Sequence, residues 1–269
     1  MNSTIFFFDI ETIPDDDVVK NLLNFTGERE ENRQALDDYH LKITDGKNKF
    51  HRQLFHKVAC ISFVEVESKI IDGYESYQIK DIRSGGEVEN YNEEKLISGF
   101  FSYLDKIQKK TKLKIVGFNS RTFDLPVLKY RAIKYGVSAS WLYEGNKYGY
   151  RYNTDWHCDL LEVLSDFGTS ARIKLSEICA ILDIPCKYDI DGSDVMGLFD
   201  QGDLQSIRDY CEIDAVVVYL VFLKQSLHSG KTSQDFYQKA IDEFIAYSQQ
   251  TEKKNLLEFL KKFNQLNHR

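Results

Sequence analysis

The chain has 269 residues, with 35 Lys and Arg against 42 Asp and Glu, so its formal net charge is −7. A hydrophobic share of 42%, with only 3 prolines and 15 glycines, supplies a core and excludes collagen-like or low-complexity disorder. The length suits one large domain or a domain with an appendage.

No apolar run approaches the ~20 residues needed to cross a bilayer, and Met1-Asn2-Ser3-Thr4 lacks the basic start of a secretory signal. A cytoplasmic protein without membrane association is expected. Cys60, Cys158, Cys179, Cys186 and Cys211 are scattered with no C-x-x-C pair, which predicts reduced, packed thiols rather than a zinc knuckle or a disulfide framework. The acidic balance argues against gripping nucleic acid through overall charge, but it leaves room for carboxylates that hold divalent cations.

Ser3 to Asp9 is an apolar run that ends abruptly in acids, the pattern of a buried central strand with function at its carboxyl end. Residues 15–50 are polar and mixed in charge, and predict an insertion with some helix. Val58 to Val66 and Lys69 to Ile79 read as a hairpin of β-branched and aromatic runs. Leu96, Ile97, Phe100, Phe101, Leu104 and Ile107 recur at helical intervals within Glu93 to Ile107. A second buried strand follows over Lys114 to Phe118. Phe123 to Tyr135 then predicts a helix through Leu128, Tyr130 or Arg131, and Ile133, ended by Gly136.

From Lys174 the chain reads as helices, most strongly over Asp203 to Leu227, with a break at Gly230. Ser233 to Asn264 is again helical and carries an apolar stripe through Phe236, Ile241, Phe244, Ile245, Leu256, Phe259 and Leu260. The order βββαβα followed by helices implies an α/β domain with a mixed sheet.

Asp9 and Glu11, at i and i+2 of a strand, project from one face of the sheet and repel unless a cation joins them. Alone, the pair also reads as solvated acids at a strand terminus. Asp124, in Gly117-Phe118-Asn119-Ser120-Arg121-Thr122-Phe123-Asp124, alone reads as a helix cap. Tyr210 and Asp214 are four apart on one helix face among apolar residues, where an acid is costly unless paired or bound to metal. Glu212 reads as solvated.

In order, Phe8-Asp9-Ile10-Glu11-Thr12, Asn119-x-x-x-Phe123-Asp124 and Tyr210-x-x-x-Asp214 resemble the three motifs of the DEDDy 3′-5′ exonucleases. The chain is similar, from about Thr4 to Lys224, to stand-alone predicted exonucleases related to the exonuclease domain of family B DNA polymerases. Asp209 stands where the histidine subclass has His, and Tyr210 assigns the tyrosine subclass. The residues after Asp214 are too few for a polymerase palm, so a nuclease without its own polymerase is expected.

The resemblance implies a ribonuclease H-like mixed sheet flanked by helices, with an exonuclease domain over 1–229. It leaves unexplained residues 230–269, which their apolar stripe predicts as a helical C-terminal extension. It also implies Mg²⁺ or Mn²⁺, two ions per site. Asp9 would bridge them, Glu11 and Asp214 would complete the ion that activates water, and Asp124 would support the other through water. Tyr210 would orient the water; with an unperturbed pKa near ~10 it is a poor base at neutral pH. Ile10, Thr12, Asn119 and Phe123 match positions that face substrate or support the site, and Phe123 reads equally as core.

The implied reaction releases nucleoside 5′-monophosphates from DNA 3′ ends, single-stranded or frayed. RNA trimming and a catalytically silent binding module of the same fold are the alternatives. The C-terminal stripe either packs on the nuclease domain, the expected outcome, or recruits a protein partner.

Three further features admit two readings each. The cations of Lys106 to Lys134 form a nucleic-acid patch or a solvated helix face. Tyr148, Tyr150 and Tyr152, interleaved with Lys147 and Arg151, stack on bases or make an ordinary strand. Asp159 supports the site or the structure rather than binding metal. Asp15-Asp16-Asp17 is expected to solvate a loop or cap a helix, and Asp189, Asp191 and Asp194 lack the closing Glu of a calcium loop.

Overall fold

A computed structural model describes residues 2–86, 88–146, 152–186 and 192–267. Its strands are β1 (Ser3–Pro14), β2 (His56–Ile71), β3 (Tyr74–Ser84), β4 (Lys112–Gly117) and β5 (His157–Asp159). They form one 5-stranded sheet in the order β3-β2-β1-β4-β5. β1 is antiparallel to β2 and parallel to β4, so the sheet is mixed with β1 at its centre. The hairpin turns at Asp72 and Gly73, with φ of 51° and 85°. Two successive left-handed residues are what a tight hairpin needs, and Asp-Gly supplies them. The strand break expected between Val66 and Lys69 is therefore displaced, because Lys69, Ile70 and Ile71 still pair with β3.

The α-helices are α1 (Val18–Leu23), α2 (Arg29–Ile43), α3 (Glu93–Gln108), α4 (Asp124–Lys134), α5 (Leu160–Leu164), α6 (Leu175–Ile181), α7 (Val195–Asp200), α8 (Leu204–His228), α9 (Gln234–Gln250) and α10 (Lys254–Asn267). Period-two alternation along β1 separates two cores. Phe6, Phe8 and Ile10 pack with Ile97, Phe100 and Leu104 of α3 and with Leu125 and Leu128 of α4. Ile5 and Phe7 face the other way, onto Tyr219 and Phe222 of α8. The same parity aims Asp9 and Glu11 at the α8 side.

Within α4, Tyr130 and Ile133 lie exposed, while Arg131 is buried between Asp15 and Glu93. Of the expected face, Leu128 and the Arg131 alternative are buried, whereas Ile133 gives way to Ala132 as the inward residue. The predicted insertion folds as α1 and α2 over a small core of Val19, Leu36 and Phe55. Of the three acids expected to solvate a loop or cap a helix, Asp17 is exposed at the N-cap position of α1, but Asp15 and Asp16 are buried: Asp15 pairs with Arg131, Lys57 and Lys134, and Asp16 with Arg29 and Arg33. Arg29 and Arg33 also reach Asp200 of α7. These pairs draw the insertion into a wall along the carboxyl end of β1.

Beyond residue 230, α9 lies over β3, and α10 packs on α8 and α9. The helical run expected from Ser233 to Asn264 is broken near Glu252, whose φ is 53°.

Candidate active site

β4 pairs with β1 only from Ser3 to Phe7. β1 continues alone past the end of β4, held by β2 on its other edge through Asp9↔Ser62 and Glu11↔Cys60, with a bulge between Glu11 and Thr12. A cleft opens on the unpaired edge, and the chain leaving β4 turns back across it. That turn needs Gly117, where a Cβ would lie 2.5 Å from the Ser120 Cβ. Asn119 then adopts a left-handed φ of 61°, which Asn tolerates. The turn delivers Asp124 to the first position of α4. Its carboxylate accepts from the Ile10 N–H, which no strand partner claims on that edge.

α8 crosses the β1–β2 face and supplies Asp214 and Tyr210 from adjoining turns. The Tyr210 hydroxyl donates to the Asp214 carboxylate. Asp9 and Glu11 of β1, Asp124 of α4 and Asp214 of α8 therefore converge on one cleft from three distant stretches of sequence. Glu11 and Asp124 are buried, and Asp9, Asp214 and Tyr210 are half-buried along its open side.

Burial raises all four carboxyls, and their neighbours raise Asp9 and Glu11 further. Asp9 is pushed well above the ordinary carboxylate range by desolvation and then by Asp214, Glu11 and Asp124. Glu11 behaves alike, under desolvation, Asp214, Cys60 and Asp124. Burial lifts Asp124 and Asp214 to about 7. Among the described residues, none of the groups acting most strongly on Asp9 and Glu11 is a Lys or Arg. Hard oxygen donors without an internal counter-cation are the donor set that Mg²⁺ and Mn²⁺ prefer, so the residues fit divalent cations.

This arrangement predicts an unusual pH response. The carboxyls titrate near 4 when unfolded (about 3.9 for Asp, about 4.3 for Glu) and higher when folded, so they favour the fold only while protonated. Without divalent cations the melting temperature should fall as pH rises from about 4 through about 7. Mg²⁺ or Mn²⁺ should restore more stability at pH ~8 than at ~5, because cations bind the deprotonated form. Melting curves with EDTA and with Mg²⁺ test this. Equal cation effects at both pH values would contradict the assignment.

The surrounding shell is built from groups the motifs do not show. Asp159 accepts from the Asn119 and Arg121 N–H groups at 2.9 and 2.8 Å and caps α5 through Leu161 at 3.0 Å. It holds the Asp124 loop and does not enter the carboxylate cluster. The Cys211 sulfur lies within 4.8 Å of the Asp9 and Glu11 carboxylates, and its thiol reaches the Asp9 carbonyl at 3.4 Å and the Asp9 carboxylate at 3.8 Å. Glu212, expected in solvent, is 5% exposed. It takes Lys253 at 3.0 Å, Asn255 at 3.1 Å and Ser84 at 3.1 Å, because its side of α8 meets α10 and β3 rather than water.

Thr12 Oγ1 lies 3.0 Å from His56 Nδ1, and His56 Nε2 lies 3.2 Å from the His51 carbonyl. A carbonyl only accepts, so Nε2 carries the proton and Thr12 donates to Nδ1. Burial lowers His56 to about 4, which keeps it neutral. Phe123 is half-buried against His56 and Phe50. Neither His56 nor Phe50 was marked by the sequence; the only signal was an aromatic and His-rich stretch just before β2.

The cations of Lys106 to Lys134 do not form one patch. Arg121 pairs with Glu162, Lys109 with Asp105, and Arg131 and Lys134 with Asp15, while Lys114 lies over Phe222. Tyr148 and Tyr150, and with them Asp189 and Asp191, fall outside the described residues.

A mixed sheet in this order, flanked by helices and carrying its acids at the end of the central strand, is a ribonuclease H-like α/β fold. The chain belongs to the family of predicted 3′-5′ exonucleases related to the exonuclease domain of PolB, which it matches over residues 48–263. The matched span holds Asp124, Tyr210, Asp214, α9 and most of α10, and leaves β1 outside. No curated protein matches the chain. The family supports a nuclease acting on nucleic acid, and exonuclease domains of this kind typically use divalent metals. No described helix is long and apolar enough to cross a membrane.

Proposed function

We propose that the protein removes nucleoside 5′-monophosphates one at a time from the 3′ ends of single-stranded or frayed DNA, with Asp9, Glu11, Asp124 and Asp214 holding two divalent cations. The observation that carries this reading is the convergence of these mutually repelling carboxylates, two buried and two half-buried, at the open edge of β1. Bound Mg²⁺ or Mn²⁺ would supply charge neutralisation at the scissile phosphate and a more acidic water.

The chain's own groups position the reactants. With its proton given to Asp214, the Tyr210 oxygen keeps lone pairs that accept from an attacking water and align it. Burial and the neighbouring carboxylates raise the Tyr210 pKa, so it stays a neutral phenol and orients rather than deprotonates. The backbone at Ile10 and Thr12, together with Asn119 and Phe123, lines the approach of the terminal nucleotide. Thr12, which donates to His56, keeps acceptor capacity for a sugar hydroxyl.

Digestion of end-labelled DNA and RNA strands with Mg²⁺, Mn²⁺ or EDTA tests the proposal. Stepwise, metal-dependent loss from DNA 3′ ends is expected; loss from 5′ ends, or none with either cation, would overturn it, and preference for RNA would correct the substrate. Tyr210→Phe should lower kcat by roughly tenfold to a hundredfold with KM little changed, because its hydroxyl meets water rather than the strand. A loss confined to KM would make Tyr210 a binding residue.

A further inference from the structure

Beside the carboxylates lies a groove of about 590 Å³ lined by Glu11, Thr12, Phe50, His56, Phe123 and Met196, among others. Its aromatic side is continuous. The Phe50 ring is 5.4 Å from Phe123 and 5.2 Å from His56, and His56 is 5.0 Å from Phe123. Phe50 is nevertheless 59% exposed, so one of its faces lies open to solvent. Single exposed aromatics are common on surfaces and mean little alone. This one adjoins a cavity whose polar rim is the Glu11–Thr12 end of β1.

The backbone that carries the ring is also tied down. Asn48 Oδ1 accepts from the Phe50 N–H at 2.9 Å. The Asn48 carbonyl takes Thr44 Oγ1 and His40 Nδ1, both at 3.2 Å, and His51 pairs with Asp37 at 2.7 Å. Thr44 is the C-cap of α2, and His40 and Asp37 lie on it, so α2 pins the turn that carries Phe50. A hydrophobic ring held rigidly open to water beside polar groups is a preorganised contact surface.

We infer that Phe50 is the stacking platform for the unpaired 3′-terminal base of the substrate, with the α1–α2 insertion serving to hold it. This rests on the nuclease reading and specifies how the strand end is received. Sandwiching a base between two rings needs a separation of about 7 Å, twice the roughly 3.4 Å rise of a strand. The Phe50–Phe123 spacing of 5.4 Å is too small for that, so the base lies on the solvent-open face of Phe50. A base still paired to a complement presents its edges to its partner and its faces to its neighbours. Only an unpaired terminal base fits. Stacking accepts any base, so the platform selects strandedness and not sequence.

The test uses the inactive Asp9→Asn protein in Mg²⁺ with fluorescent single strands that end in a normal nucleotide or in an abasic one. Phe50→Ala should weaken binding of the normal strand about tenfold and the abasic strand hardly at all, and Phe50→Trp should retain the preference for a base. Equal losses on both strands, or no loss on either, would overturn the platform. Phe50 is exposed, so the substitution leaves the fold intact and melting curves verify this. The two ideas fail separately: if the wild-type protein digests labelled strands but Phe50→Ala leaves KM unchanged, only the platform falls. If the wild-type protein digests nothing, the nuclease reading falls and takes the platform with it.

Discussion

Asp9→Asn should reduce nuclease activity by at least about a hundredfold while raising the melting temperature of the cation-free protein at pH ~8. Both directions come from one geometry. Asp9 stands between Glu11, on its own strand, and Asp214, across on α8, and it also feels Asp124. It is the carboxylate on which every other member of the cluster acts. Replacing it by a neutral amide removes the carboxylate proposed to bridge the two cations and removes the repulsion at its source. Catalysis should fall and cation-free stability should rise, a pairing that a purely structural acid does not produce. A structural Asp replaced by Asn would lower the melting temperature and spare the chemistry. Digestion at the wild-type rate by Asp9→Asn would sink the site assignment.

The central strand, the mixed sheet and the motif residues were legible in the sequence because each depends on local pattern. An apolar run closing in Asp-Ile-Glu, a Gly-to-Asp turn and a Tyr four residues before an Asp are short-range signals, and the fold brings them together. What stayed hidden depends on long-range pairing. Asp15 and Asp16 look like loop acids until α4 presents Arg131 and α2 presents Arg29 and Arg33. Glu212 looks solvated until Lys253, 41 residues later, closes over it. Polar residues with distant partners carry no periodicity, and composition alone assigns them to solvent. Ile133 shows the converse error: its spacing fits the helix, but it is 69% exposed because Ala132 is the inward residue.

These pairings also explain how the cleft is held open. Asp15, just ahead of α1, pairs with Arg131 of α4 and Lys57 of β2, while Arg29 and Arg33 of α2 hold Asp16 and Asp200 of α7, and the floor is the apolar contact of α8 with β1. The β1–β2 pairing sets His56 beside Thr12, and the contacts of α2 with the Asn48 turn set Phe50 next to His56. Rigid positioning of this kind suits a site whose four carboxylates would move apart if they were free to.

Deleting the residues after Gly230 should leave a chain that does not hold its fold at 25 °C, or one whose melting temperature collapses. Phe244 of α9 and Leu256, Phe259, Leu260 and Phe263 of α10 are buried in the same core as Ile5 and Phe7 of β1. Fully burying side chains of this size contributes about 1.5–3 kcal/mol each, so together they approach the whole stability of a typical domain, about 5–15 kcal/mol. The polar ties run the same way. Lys253 bonds the Ile82 carbonyl at 2.8 Å, the Ile82 N–H donates to the Tyr247 hydroxyl at 2.9 Å, and Thr232 bonds the Glu75 carbonyl at 2.7 Å. All three bind β3, the outer strand of the sheet, whose exposed edge would otherwise invite pairing with another chain. Truncation should therefore bring aggregation as well as lost stability. Phe259→Ala gives a milder version that still folds, with a loss of about 3–5 kcal/mol and catalytic geometry intact. If the helices served instead to recruit a partner, the truncated chain would keep its melting temperature and change only its assembly. An unchanged melting temperature with a smaller hydrodynamic mass is the result that would refute integral packing.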